Sequence, residues 1–96
     1  MIYHISTTKA WETQADSDNY EDPSLQSEGF IHCSKAEQIE PVIGRYFKGR
    51  NDLLILHIEP ELLESELKYE LSTGDELYPH IYGSINKKAI VEVKPY

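Results

Sequence analysis

The run Leu53-Leu54-Ile55-Leu56-His57-Ile58 constrains the fold of this chain more than any other segment. It shows no polar–apolar alternation, which suits a strand covered on both faces. The shorter runs around it must supply that cover. Ile2-Tyr3-His4-Ile5, Gly29-Phe30-Ile31-His32-Cys33, His80-Ile81-Tyr82-Gly83-Ser84-Ile85 and Ala89-Ile90-Val91-Glu92-Val93 read as strands. Leu67-Lys68-Tyr69-Glu70-Leu71 alternates and reads as a strand exposed on one side.

Two helices are expected, both in the first half. Thr7 or Thr8 caps one through about Ala15, with Glu12 placed to help at its start. The other starts at Ser34 as N-cap, with Glu37 at the capping-box spacing. Its Ile39, Val42, Ile43 and Tyr46 recur at helical spacing, and it ends near Lys48-Gly49. Pro41 inside it is expected to bend or split it. Residues 16–23 (DSDNYEDP) read as a loop, Ser72-Thr73-Gly74-Asp75 as a turn, and Pro60 to Leu63 as one helical turn. About six short strands and two helices in this order favour α+β over a regularly alternating α/β fold.

Ninety-six residues make a single domain, 1–96, with room for one core. The lone Cys33 forms no internal disulfide and fits a reducing compartment. The amino terminus lacks the basic and apolar regions of a signal peptide, and the longest apolar run is too short to span a bilayer. A cytoplasmic location is expected. The net charge is −8, from nine basic and seventeen acidic residues, and only Arg45 and Arg50 are arginines. Nucleic acid needs clustered basic side chains, so it is an unsuitable partner. A small ligand or a basic protein partner remains open.

Strand parity sorts the chemistry-bearing side chains. His32 and Cys33 point to opposite faces, which disfavours a Cys–His nucleophilic pair. His80, Tyr82 and Ser84 share a face, as do Lys68 and Glu70, and His4 lies opposite Tyr3 and Ile5. His4, His32, Ser34, Glu70, His80 and Tyr82 can thus all lie on polar faces, converging on one cleft if their strands are neighbours. Simpler roles compete. A strand histidine is often half-exposed with one hydrogen bond. Ser34 suits a helix cap, Ser24 a turn after Pro23, and Cys33 small core filling. Trp11 is expected to pack its helix on the sheet, and His57 to be structural, bonded to a backbone carbonyl.

The block Ser24-Leu25-Gln26-Ser27-Glu28-Gly29-Phe30-Ile31-His32-Cys33-Ser34 lies between Tyr3-His4-Ile5 and Pro79-His80-Ile81-Tyr82-Gly83. With these flanks it resembles the small bacterial proteins of domain-of-unknown-function family 952, from Ile2 to about Val93. The resemblance implies an ADP-ribosyltransferase-like fold. That fold is a split, mostly antiparallel β-sheet with two helices and a nicotinamide-dinucleotide cleft between its halves. It implies that His4 contacts the nicotinamide ribose. It also implies that Phe30, His32 and Ser34 line the nicotinamide pocket, and that a later glutamate, matched to Glu70 by parity, stabilises oxocarbenium-like charge. His80 has no counterpart in that pattern. The related RNA 2′-phosphotransferases need several arginines, which this chain lacks.

The candidate catalytic residues are therefore His4, His32, Glu70 and His80. The candidate ligand-binding residues are His4, Ser24, Phe30, His32, Ser34, His80 and Tyr82. No cofactor is required. NAD is a possible substrate or ligand, bound with or without ADP-ribosyl or glycosidic-bond chemistry, so enzymatic activity stays open. The alternatives are a non-catalytic small-ligand or protein-interaction module, and a metal site formed by His4, His32 and His80.

Overall fold

In the computed structural model, which describes residues 1–96, the apolar run forms the middle strand of a sheet. This strand, β4 (Leu53–Ile58), pairs antiparallel with β1 (Ile2–Thr7) on one side and with β8 (Ile90–Pro95) on the other. The β1 register runs from Ile2 opposite Ile58 to Thr7 opposite Leu53. A second sheet has the order β3 (Ile31–His32), β6 (Leu77–Tyr82), β5 (Glu66–Leu71), again antiparallel. One bridge joins the two sheets. The Tyr3 N–H donates to the Ser34 carbonyl at 2.9 Å, and the Ser34 N–H donates back at 2.7 Å. The fold is α+β with mostly antiparallel sheets, and no helix is long and apolar enough to cross a membrane.

Both faces of β4 are covered, as its composition demands. On one face Leu56 and Ile58 pack with Ile2, Tyr20, Ile31, Cys33, Ile81, Ile85 and Ala89, with Trp11 against the cluster. On the other, Leu53 and Ile55 join Ile5 and Ile43, beneath Ile39, Val42 and Phe47. The same layering buries β1 on both faces. His4 is therefore a buried core-side residue, 3 % exposed, and does not lie on a solvated polar face.

The helices α1 (Thr8–Thr13), α2 (Ser24–Glu28) and α3 (Ile39–Tyr46) follow local chemistry. Thr7 caps α1, its Oγ1 accepting from the Ala10 N–H at 3.1 Å. Ser34 does not cap the long helix, because its backbone is committed to the bridge with Tyr3. Lys35 takes the capping position of a 3-10 turn over Ala36–Gln38, and the Gln38 Oε1 accepts the Lys35 N–H at 3.0 Å. Pro41 divides the expected helix into that turn and α3. It falls in the first turn of α3, where its missing N–H leaves no helical bond unmade.

The 16–23 segment is more than a loop. Asn19–Tyr20 forms β2, paired with β7 (Ile85–Asn86), and Tyr20 is fully buried, with its hydroxyl 2.5 Å from the Ser6 Oγ. The helix α2 was likewise not anticipated. It ends at Gly29, whose φ of 90° is left-handed. Gly83, at φ 155°, lies where a Cβ would collide with the Ser65 side chain. His57 makes no carbonyl hydrogen bond of the expected kind. It packs edge-on against the Tyr3 ring, centroids 4.9 Å apart.

Candidate functional site

The gap between β1 and β3 beyond the Tyr3–Ser34 bridge opens into a cleft of about 500 Å³. His4 and Ile5 form one wall, and His32, Cys33 and Ser34 the other. Val42, Arg45, Tyr46 and Phe47 come from α3 and the residue after it, and Ser72, Thr73 and Tyr78 close the far end. Asp22 and Glu28 complete the lining.

His4 spans the gap. Its Nδ1–H donates to the His32 carbonyl at 2.7 Å, fixing the ring across the two sheets. Its Nε2 then faces Asp22, 3.4 Å from Oδ1, and has no hydrogen-bond partner although fully buried. Asp22 is held by the Ser24 N–H, which donates to Oδ2 at 3.0 Å. The Ser24 Oγ is also buried without a partner. Two unsatisfied polar atoms thus flank one carboxylate, and buried polar groups without partners are uncommon.

Burial pushes the Asp22 carboxyl up, but the His4 imidazole 3.4 Å away, with the contacts to Ser24, outweighs it. The carboxyl is held well below the usual carboxylate range. An ordinary aspartate titrates near pH 4 (about 3.9) in the unfolded chain. The folded value is depressed, so the stabilisation is complete above about pH 5 and is lost as pH falls through the carboxylate range toward the folded value. Acid unfolding of Asp22→Asn, followed by circular dichroism, should show a shallower loss of stability below about pH 4 than the parent chain. An unchanged acid limb would show that His4 and Ser24 do not stabilise the Asp22 carboxylate.

The opposite end of the cleft has different chemistry. The Arg45 Nη2 donates to the Tyr78 hydroxyl at 2.7 Å, and its guanidinium lies over the Tyr46 ring, 5.9 Å from the centroid. The Tyr46 hydroxyl is 2.9 Å from the Thr73 Oγ1. Carboxylates therefore mark one end of the cleft, and a cation, hydroxyls and aromatic rings the other. Cys33 is 3 % exposed, and burial pushes its thiol far up, leaving it a neutral filler rather than a nucleophile.

The structure divides the residues singled out in the sequence into two groups. His4, His32 and Ser34 line the cleft, and Ser24 supports it through Asp22. Phe30, Glu70, His80 and Tyr82 form an adjoining network outside the lining. There the His80 Nδ1–H donates to the Glu70 Oε1 at 2.9 Å, and the Tyr82 hydroxyl donates to the same oxygen at 2.5 Å. The Tyr82 and His80 bonds hold the Glu70 carboxyl below its ordinary value, and the Glu70 bond raises the Tyr82 phenol. Phe30 stacks on His80, centroids 4.2 Å apart.

His32 belongs to both groups. Its Nε2 pairs with the Glu28 Oε2 at 3.0 Å, while its ring meets His80 edge-on at 5.3 Å. The three imidazoles do not share one point. His4, His32 and His80 form no metal-holding group, nor do any other three His, Cys, Asp or Glu side chains.

Parity brought Glu70, His80 and Tyr82 together correctly but could not say which side of the split they occupy. Asp22, Glu28, Arg45, Tyr46, Phe47 and Tyr78 were missed. For Asp22 a local signal existed: Asp-Pro-Ser, in which a carboxylate can accept the N–H two residues on.

A family model described as "Protein of unknown function (DUF952)" matches residues 5–93. No curated protein matches the chain. Among solved structures, the crystal structure of protein CC0527 from Caulobacter crescentus superposes with a TM-score of 0.89 at 28 % identity. The match covers 98 % of this chain and 83 % of that one. The solution structure of the same protein gives a TM-score of 0.83 at 28 % identity, covering 98 % and 82 %.

Proposed function

The chain belongs to the family described as protein of unknown function DUF952, and we propose that its cleft binds a ribonucleoside ligand of the NAD type. One observation carries the reading: the buried His4 Nε2 and the Asp22 carboxylate lie 3.4 Å apart in the split, with neither satisfied by the other. A ribose diol suits that pair, since one hydroxyl can donate to the carboxylate while the other accepts from or donates to the imidazole.

The rest of the cleft supports the same ligand class. Tyr46 and Phe47 offer rings on which a planar base can stack. Arg45, with the hydroxyls of Thr73 and Tyr78 nearby, suits a phosphate. About 500 Å³ lies within the range of a few hundred to about 1,000 Å³ usual for small-molecule sites. The kinship of fold we propose with it is the ADP-ribosyltransferase-like split sheet, whose opening this cleft would occupy.

Binding rather than turnover is the reading the geometry supports best. The glutamate expected to face a developing ribosyl cation, Glu70, is instead engaged by His80 and Tyr82 outside the cleft. Calorimetric titration with NAD, ADP-ribose and nicotinamide tests the proposal. The two ribose-bearing ligands should release or absorb heat with a saturable isotherm, and nicotinamide should bind weakly or not at all. Silence from all three at millimolar concentration would overturn it.

A further inference from the structure

The two sheets leave two outer edges, β8 and β5, and they differ in how they are guarded. An unpaired edge is a template for another strand, and proteins blunt it with proline, bulges or charge. The β8 edge has such guards. Its last residue is Pro95, its register slips between His57 and Ile58, and Glu92 and Lys94 pair with each other at 3.4 Å. The β5 edge has neither proline nor bulge, and its six residues pair with β6 without interruption, from Glu66 opposite Tyr82 to Leu71 opposite Leu77. Lys68, the one cation on β5, lies over the Tyr82 ring on the sheet face, 4.9 Å from its centroid.

We propose that β5 pairs antiparallel with β5 of a second copy of this chain, about a two-fold axis at Tyr69. The sequence of the strand, Glu66-Leu67-Lys68-Tyr69-Glu70-Leu71, is complementary to its own reverse about that residue. Tyr69 faces Tyr69 of the second copy. Leu67 faces Leu71 on the same side of the sheet, and Lys68 faces Glu70 on the other. Every symmetric contact repeats twice, as an isologous interface requires. Shifting the centre to Lys68 or Glu70 sets like charges opposite each other, so the charges select the Tyr69 register.

Exposure fits the same occupant. Tyr69, Leu71 and Leu77 are 48 %, 67 % and 47 % exposed, an apolar strip that the paired strand would partly cover. The chain carries a net charge of −8, so association needs such local complementarity. One strand pair with this strip makes a small interface, so the dimer is concentration-dependent.

Sedimentation of the intact chain and a cysteine cross-link test the pairing together. The expected result is a concentration-dependent approach to twice the monomer mass. Tyr69→Cys should then form a covalent dimer under mild oxidation, while Leu62→Cys, at a position equally exposed but off the strand, does not. Cys33 is buried and does not compete. Lys68→Glu should return the chain to monomer. A monomer at all concentrations, or a dimer in which Tyr69→Cys cross-links no better than Leu62→Cys, overturns the proposal.

Discussion

Leu56→Ala is expected to destabilise this protein by about 2–5 kcal/mol, the range for emptying a fully buried leucine site. Leu56 is 0 % exposed on the middle strand of its sheet, held between β1 and β8. Neither neighbouring strand can close on the cavity without breaking its register, so little of the loss should be recovered. A domain of this size has only about 5–15 kcal/mol in total, and each kcal/mol moves Tm by about 4–8 °C. A fall in Tm of about 10 °C or more is therefore expected by calorimetry. Val91→Ala, 53 % exposed on β8, should stay within about 0.5 kcal/mol. Equal effects from the two would contradict the placement of the core. Leu56 also lies directly opposite His4, so the cavity would open beneath the proposed site.

The second large effect is on ligand affinity. His4→Ala removes both the bond to the His32 carbonyl and the imidazole that faces Asp22. Hydrogen bonds to charged groups contribute about 1.5–3 kcal/mol, which corresponds to about a ten- to hundred-fold loss in affinity for NAD. The truncation also removes the ring that bridges the two sheets and faces the part-exposed Asp22 carboxylate, so the fold itself will weaken. Asp22→Asn keeps the shape and should lose affinity by a similar factor with less damage to folding. His57→Ala, whose ring packs on Tyr3 beside the cleft wall, should bind as the parent does. Retention of affinity in folded Asp22→Asn would take the carboxylate out of the site.

Local structure was legible where one short-range rule decides it. The unalternating Leu53–Ile58 run gave a strand buried on both faces, and Thr7 capped its helix. Parity set Cys33 and His32 on opposite faces, and the structure buries the first and exposes the second. The same rule failed for His4, Ser34 and His80, which are all buried. Alternation marks a polar face only when one side of a strand meets water, and β1 has protein on both sides.

The β2 strand was illegible for another reason. Tyr20 is the only large apolar residue of a polar stretch, and its burial depends on Ser6, Trp11 and Ile85, which the chain brings from elsewhere. Asp22 and Arg45 likewise acquire meaning only through long-range neighbours. The split of the candidate histidines into a cleft pair and a separate His80 network is a property of sheet order. Periodicity along one strand carries no information about that order.

The most direct measurement is backbone amide chemical-shift mapping while NAD is added to the isotopically labelled chain. Perturbations should concentrate at His4–Ile5, Asp22, His32–Ser34 and 42–47, the two walls and the helical side of the cleft. They should leave Glu92 and Lys94 on the distant β8 edge unmoved. Shifts absent at millimolar NAD, or gathered on β8 or around His80 while His4 and Asp22 stay still, would contradict a ribose-binding cleft in the split between the sheets.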